Sequence, residues 1–130
     1  MDNCIFCQII AGKSPSWKVY EDDYTYAFLC IHPVNQYHTL VIPKKHYVNM
    51  FDIPEDEAAH LMRAVKRVVE LYSRKLGLTD VQIINSSGTA AQQDVFHIHY
   101  HIVPRDEHDG QDVVWHMNPD WHEAFGLFNT

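Results

Sequence analysis

One segment constrains the fold more than any other. Between about 54 and 76, Leu61, Val65, Val68, Tyr72 and Leu76 recur at helical spacing and form a single apolar stripe on an otherwise charged helix. Asp52 is placed to cap it, Pro54 suits its first turn, and Gly77 follows as a stop. Such a helix has to lay its stripe on another apolar surface. The remaining chain supplies short β-rich runs at 17–21, 24–30, 38–43, 81–85 and 97–103, the first two forming a hairpin across Asp22 and Asp23. Five strands on both sides of one long helix predict an antiparallel α+β domain. A shorter helix is expected over 4–11, where Ile5, Phe6, Ile9 and Ile10 have helical spacing before Gly12 and Pro15 break the run. Segments 32–37 and 86–94 read as loops.

A chain of 130 residues suits one domain over 1–130, with a patterned core over 4–105 and a weakly patterned tail over 106–130 that holds a short amphipathic turn at 119–128. With 17 acidic against 10 basic residues and a net charge of −7, there is no basic face to track a phosphodiester backbone, so no nucleic-acid partner is expected. No run approaches the roughly 18–20 apolar residues that span a bilayer, so no membrane partner is expected either. The beginning of the chain lacks the basic and long apolar regions of a secretory signal, which predicts a cytoplasmic protein with reduced thiols. Of the three cysteines, Cys4 and Cys7 form a C-x-x-C, the spacing of half a tetrahedral zinc site. Two reduced, metal-free thiols are the alternative.

His97, His99 and His101 alternate with Ile98, Tyr100 and Ile102. On a strand this puts three imidazoles on one face and the apolar partners on the other. A neutral imidazole is a good nucleophile near pH 7 and a good leaving group once phosphorylated, provided a hydrogen bond to its other nitrogen fixes the tautomer. Neighbouring donors can then neutralise charge on a phosphoryl group. The loop before the triad carries Ser86, Ser87, Gly88 and Gln93 as further candidate donors. His60, His108, His116 and His122 read as surface histidines, and Trp115 and Trp121 as tail aromatics that pack down.

The blocks C-I-F-C at 4–7, Y-H-T-L-V-I-P-K-K-H at 37–46 and V-F-H-I-H-Y-H-I-V-P-R at 95–105 resemble, in order and spacing, the histidine-triad (HIT) family. The resemblance implies a five-stranded antiparallel sheet with one short and one long helix, commonly paired as a homodimer. It implies that His99 is the nucleophile, that His97 and His101 flank it, that His38 orders the triad, and that Gln93 lies near the phosphate. Family substrates are nucleoside phosphoramidates, dinucleoside polyphosphates and related adenylates. In zinc-bearing relatives two histidines complete the C-x-x-C, and these match His46 and His97 here, which implies a structural zinc.

Several positions depart from the family pattern. Cys30-Ile31-His32-Pro33 stands where the family usually has D-I-x-P, and its aspartate would accept from both ribose hydroxyls, as a thiol does poorly. Ser86 stands in place of an amide residue, Gln92 in place of a glycine, and Asp94 in place of a serine that aids the leaving group. The leading expectation is therefore a nucleotide hydrolase or nucleotidyl transferase with an altered pocket. The competing readings are a nucleotide- or partner-binding module without turnover and a zinc hydrolase in which the whole triad binds a catalytic metal.

Overall fold

The computed structural model describes residues 3–113 and 115–128. Helix α1 (Ile5–Ile10) leads into strands β1 (Lys18–Glu21), β2 (Thr25–Leu29) and β3 (Thr39–Pro43). Helix α2 (Glu55–Leu76) follows, then β4 (Val81–Ile84), a 3-10 turn at Thr89–Ala91, β5 (Tyr100–Pro104) and a 3-10 segment at Pro119–Phe128. The strands form one antiparallel sheet in the order β1-β2-β3-β5-β4, the five-stranded α+β arrangement expected.

Alternation along the strands divides the core between the two faces of the sheet. Ala27, Val41, Ile98 and Ile102 meet Leu61, Ala64, Val65, Val68 and Tyr72 of α2. Removing each large aliphatic side chain here from water is worth about 1.5–3 kcal/mol. Phe28, Leu40 and Ile42 point the other way and pack with Phe6 of α1. Val41 lies between Leu40 and Ile42 in sequence yet belongs to the opposite cluster, as a period of two requires.

The ends of the elements differ from the sequence expectation for local reasons. Asp52 does not cap α2: its carboxylate accepts from the Val48 N–H at 2.7 Å, and Pro54 occupies the N-cap with no side-chain bond. Glu55, Asp56 and Glu57 in the first turn instead favour the helix dipole. At the other end Gly77 turns left-handed, with φ 68°. The chain folds back there, so Leu78 joins the core cluster while Leu76 stays 38% exposed. The tail aromatics do not pack down on this chain, since Trp115 is 84% and Trp121 70% exposed.

The last strand is shorter than its alternation predicts, beginning at Tyr100 rather than at 97. Pairing with β3 ends at Val41 opposite Tyr100. Beyond that point the Ile98 N–H donates to the Tyr47 carbonyl at 2.7 Å, and the Pro43 carbonyl takes the His97 ring at 2.9 Å. Loop and side-chain partners replace the ladder, while alternation of faces persists through His99.

Candidate active site and metal centre

Because Ile98 and Ile102 face α2, the histidines lie on the α1 side of the sheet. They stand in a row: ring centroids are 5.2 Å apart for His38 and His101, 5.0 Å for His101 and His99, and 4.8 Å for His97 and His46. Phe6 lies between the last two pairs, edge-on to His99 at 5.2 Å and to His97 at 5.7 Å. It is 6% exposed and walls the triad from α1. In the sequence Phe6 has only the spacing of a helix-face residue, and no local signal marks it otherwise.

The partners of each ring determine its tautomer. The Val34 N–H donates to His38 Nδ1 at 3.2 Å, so the proton of His38 is on Nε2, which donates to His101 Nδ1 at 2.9 Å. The proton of His101 is then on Nε2, leaving an N–H donor on the second ring of the row. His99 Nδ1 donates to the His97 carbonyl at 2.9 Å, which leaves the lone pair on Nε2. Burial lowers the His38 value and, reinforced by neighbouring His99 and His38, brings His101 down to about 4, so both rings stay neutral at pH 7.

The loop after β4 holds the backbone of His99. Asn85 Nδ2 donates to the His99 carbonyl at 3.0 Å, Ser87 Oγ donates to Asn85 Oδ1 at 2.8 Å, and the Met50 N–H donates to Ser87 Oγ at 2.9 Å. Asn85 ends the strand that the sequence predicts over 81–85, and its anchoring role depends on a contact fourteen residues away. Gln93 is buried and spends its amide on the loop. Its Oε1 accepts from the Gly88 N–H at 2.8 Å, and its Nε2 donates to the Val48 and Val95 carbonyls at 2.7 and 3.1 Å. Ser86 is half-buried in this loop. Gln92 has φ 73°, the left-handed conformation that makes glycine the favoured residue there. Asp94 is exposed, accepts from the Val95 N–H at 2.9 Å, and places Oδ1 4.0 Å from His99 Nε2.

At the His38 end, the Cys30 N–H donates to the His38 carbonyl at 2.8 Å, and the half-buried Cys30 side chain packs against the cluster of Phe28 and Leu40. Ile31 and His32 are exposed. Their loop is pinned by Asn35 Nδ2, which donates to the Pro104 carbonyl and to Asp109 Oδ2, both at 2.8 Å. Asp109 in turn accepts from Arg105 at 2.7 and 3.0 Å.

At the other end, Cys4, Cys7, His46 and His97 bring their donor atoms within 4.8 Å of one another. Three of the four Sγ to Nδ1 approaches are 3.4–3.5 Å, close to the edges of roughly 3.3–3.8 Å that tetrahedral zinc bond lengths impose on sulfur and nitrogen ligands. Since the Pro43 carbonyl accepts only, His97 carries its proton on Nε2 and directs the Nδ1 lone pair at the thiols. Burial and the neighbouring Cys4 push the Cys7 thiol up to about 11. A dication reverses that penalty by letting both sulfurs ionise. The residues thus fit a zinc ion, although only the C-x-x-C half was legible from spacing.

A family model described as HIT domain matches residues 11–108. An uncharacterized HIT-like protein of Methanocaldococcus jannaschii is 48% identical over 110 residues, covering 85% of this chain and 84% of that protein. An adenosine 5'-monophosphoramidase of Saccharomyces cerevisiae is 39% identical over 113 residues, covering 86% of this chain and 69% of that protein. Among solved structures, a HIT family protein from Bacillus anthracis matches with TM-score 0.88 at 38% identity, over 98% of this chain and 92% of that one. A zinc-bound histidine triad family protein from Mycobacterium smegmatis matches with TM-score 0.79 at 35% identity, over 95% and 88% of the two chains.

Proposed function

The chain belongs to the histidine-triad (HIT) family, and from that premise we propose that it is a nucleotide hydrolase or nucleotidyl transferase working through a nucleotidyl-histidine intermediate on His99. Its substrates are nucleoside phosphoramidates, dinucleoside polyphosphates or related adenylates. The observation that carries this reading is the bond from His99 Nδ1 to the His97 carbonyl at 2.9 Å, which presents Nε2 with its lone pair.

In the transfer step His99 Nε2 forms a bond to the α-phosphorus while the bond to the leaving group breaks, and the leaving group keeps the bonding pair. The ring becomes cationic, and the His97 carbonyl stabilises the Nδ1–H. His101 Nε2–H donates to a non-bridging phosphate oxygen, with its orientation held by His38 and the Val34 N–H. Water then attacks phosphorus and loses a proton to solvent, the Nε2–P bond breaks, and the pair returns to the ring. Zinc bound at Cys4, Cys7, His46 and His97 would tie α1 to the segments carrying His46 and His97 and so support the site structurally. The row geometry favours covalent transfer over a catalytic metal shared by the whole triad, because the three rings turn to three different partners. The name of the yeast relative supports a nucleotide hydrolase.

The reading includes a cytoplasmic homodimer with one site per subunit. It is supported by three free cysteines and by apolar side chains left exposed on β4 and α2, among them Ile83 and Met62. No helix among the described residues is long and apolar enough to cross a membrane. The test of the function is to trap the protein with an adenylate donor labelled at the α-phosphate, quench in base, and map the label. Label on the peptide at His99 is expected. Turnover with no label, or with label on another residue, would overturn the mechanism.

The ribose side supplies a second test. Cys30 occupies the position where the family usually has an aspartate that accepts from both ribose hydroxyls. Cys30→Asp should strengthen binding of adenosine monophosphate relative to its 2',3'-dideoxy analogue by about 1.5–3 kcal/mol, less the desolvation of a carboxylate against Phe28 and Leu40. Calorimetric titration of both proteins with both ligands measures this as a double difference. A wild type that already prefers the ribose form more than tenfold would point to another residue, His32 first.

A further inference from the structure

The contact between His38 and His101 can run in either sense. Its 2.9 Å length suits a proton on His38 Nε2 donated to His101 Nδ1, and equally a proton on His101 Nδ1 donated the other way. In the first state His101 presents an Nε2–H to the phosphate. In the second it presents a lone pair, which a phosphate oxygen repels. The Val34 N–H, 3.2 Å from His38 Nδ1, selects the first state, because it needs an unprotonated nitrogen to accept it. Whatever holds Val34 therefore sets the polarity of both rings.

Val34 is 46% exposed, and its backbone is held by polar bonds to the segment after β5. Gln111 Nε2 donates to the Val34 carbonyl at 3.3 Å. Asn35, next in sequence, donates from Nδ2 to the Pro104 carbonyl and to Asp109 Oδ2, both at 2.8 Å, and its own carbonyl accepts from the His38 N–H at 3.2 Å. Pro104 closes the strand that carries His101, so these bonds tie the donor of one ring to the strand of the other.

Asp109 is the hub of the clamp. Besides Asn35, its carboxylate accepts from Arg105 Nε and Nη2 at 2.7 and 3.0 Å, from the Asp106 N–H at 3.0 Å and from the Gln111 N–H at 2.9 Å. Gly110, with φ 73°, lets the chain turn back for the last of these. The Arg105 guanidinium and the backbone amides hold the Asp109 carboxyl well below the usual carboxylate range, so it stays an ionised acceptor. Arg105 also bonds Gln82 of β4, which fixes the hub to the sheet. Resting on the reading that His101 donates to phosphate, we propose that Asp109 and Asn35 are positioning residues for the transfer step. They clamp Val34 against His38 and thereby fix the direction of the hydrogen bond between His38 and His101.

The test reads the tautomers directly, by two-bond correlations between ring protons and ring nitrogens in nitrogen-15-labelled protein at pH 7. Wild type should carry the proton on Nε2 in both His38 and His101. Asn35→Ala should shift part of the population of both rings together to Nδ1–H, while His99 keeps its Nδ1–H on the His97 carbonyl. Asp109→Asn, which loses the charge and keeps an oxygen, should shift them less. The single-turnover rate at saturating adenylate donor should fall about threefold or more in Asn35→Ala, by the same factor as the Nε2–H population of His101. A merely structural anchor would lower the melting temperature and leave the tautomers as they are. Nε2–H retained by both rings in folded Asn35→Ala would overturn the proposal, and so would the same result in Asp109→Asn if Asn35→Ala does not fold. Tautomers that shift with no loss of rate would instead overturn the donor role of His101, on which the functional reading relies.

Discussion

His99→Ala is expected to lower turnover of an adenylate donor by about 10⁴-fold or more, because the missing imidazole forms a bond that no neighbour can form in its place. Binding of adenosine monophosphate should stay within a few-fold of wild type, since the loop proposed to meet ribose is anchored independently through Asn35, Pro104 and Asp109. The contrast separates chemistry from folding: the ring also touches Phe6 edge-on, so a melting curve should accompany the rates and shift only modestly. His101→Ala should cost less, because it removes one donor to the phosphate and leaves the nucleophile in place. Single-turnover kinetics with a calorimetric binding measurement distinguish the cases. A His99→Ala protein with wild-type turnover would reject covalent catalysis at this residue.

Removal of metal is expected to give the largest stability effect. Protein purified without added metal should contain about one zinc per chain by elemental analysis. Chelation, or Cys7→Ser, should lower the melting temperature by roughly 10 °C or more, the shift that a loss of about 3 kcal/mol produces in a chain of this size. The four candidate ligands come from α1 and its N-cap, the segment after β3 and the approach to β5, so one ion would join three parts of the chain that no disulfide links. The rate at a temperature where the fold persists should fall less than the stability. His97 retains its bond to the Pro43 carbonyl, and His99 is reached through the His97 backbone rather than through its ring. A metal-free wild type of undiminished stability would overturn the structural assignment.

The fold was legible because its strongest signals are periodic. The stripe of Leu61, Val65, Val68 and Tyr72 needs only a period near 3.6 to declare a helix with one buried face, and the alternation of His97 to Ile102 needs only a period of two to place imidazoles and isoleucines on opposite faces. Element ends were less legible because they depend on which partner a backbone group finds. Asp52 has the chemistry of a cap and serves Val48 instead. The strand expected from 97 begins at Tyr100, because Tyr47 and Pro43 supply the bonds that a ladder would have supplied.

The same division runs through the candidate site. Sequence alone determined the residue types available for chemistry: three alternating imidazoles, two thiols at metal-ligand spacing, and a departure from the family pattern at Cys30. Those follow from identity and spacing along one chain, which survive any folding. Only the tertiary structure decided which partner each group meets, because tautomers and charges are set by neighbours distant in sequence. His38 Nε2–H donates to His101 across 63 residues of sequence, Asn85 holds the His99 carbonyl, and Phe6 of α1 walls the rings. Gln93 shows the difference most clearly: its sequence position suggests a phosphate donor, and in the fold the Gly88 N–H, Asn49 Nδ2 and two carbonyls take up its amide. A buried amide goes to whichever backbone groups would otherwise stay unpaired, and no one-dimensional pattern specifies which those are.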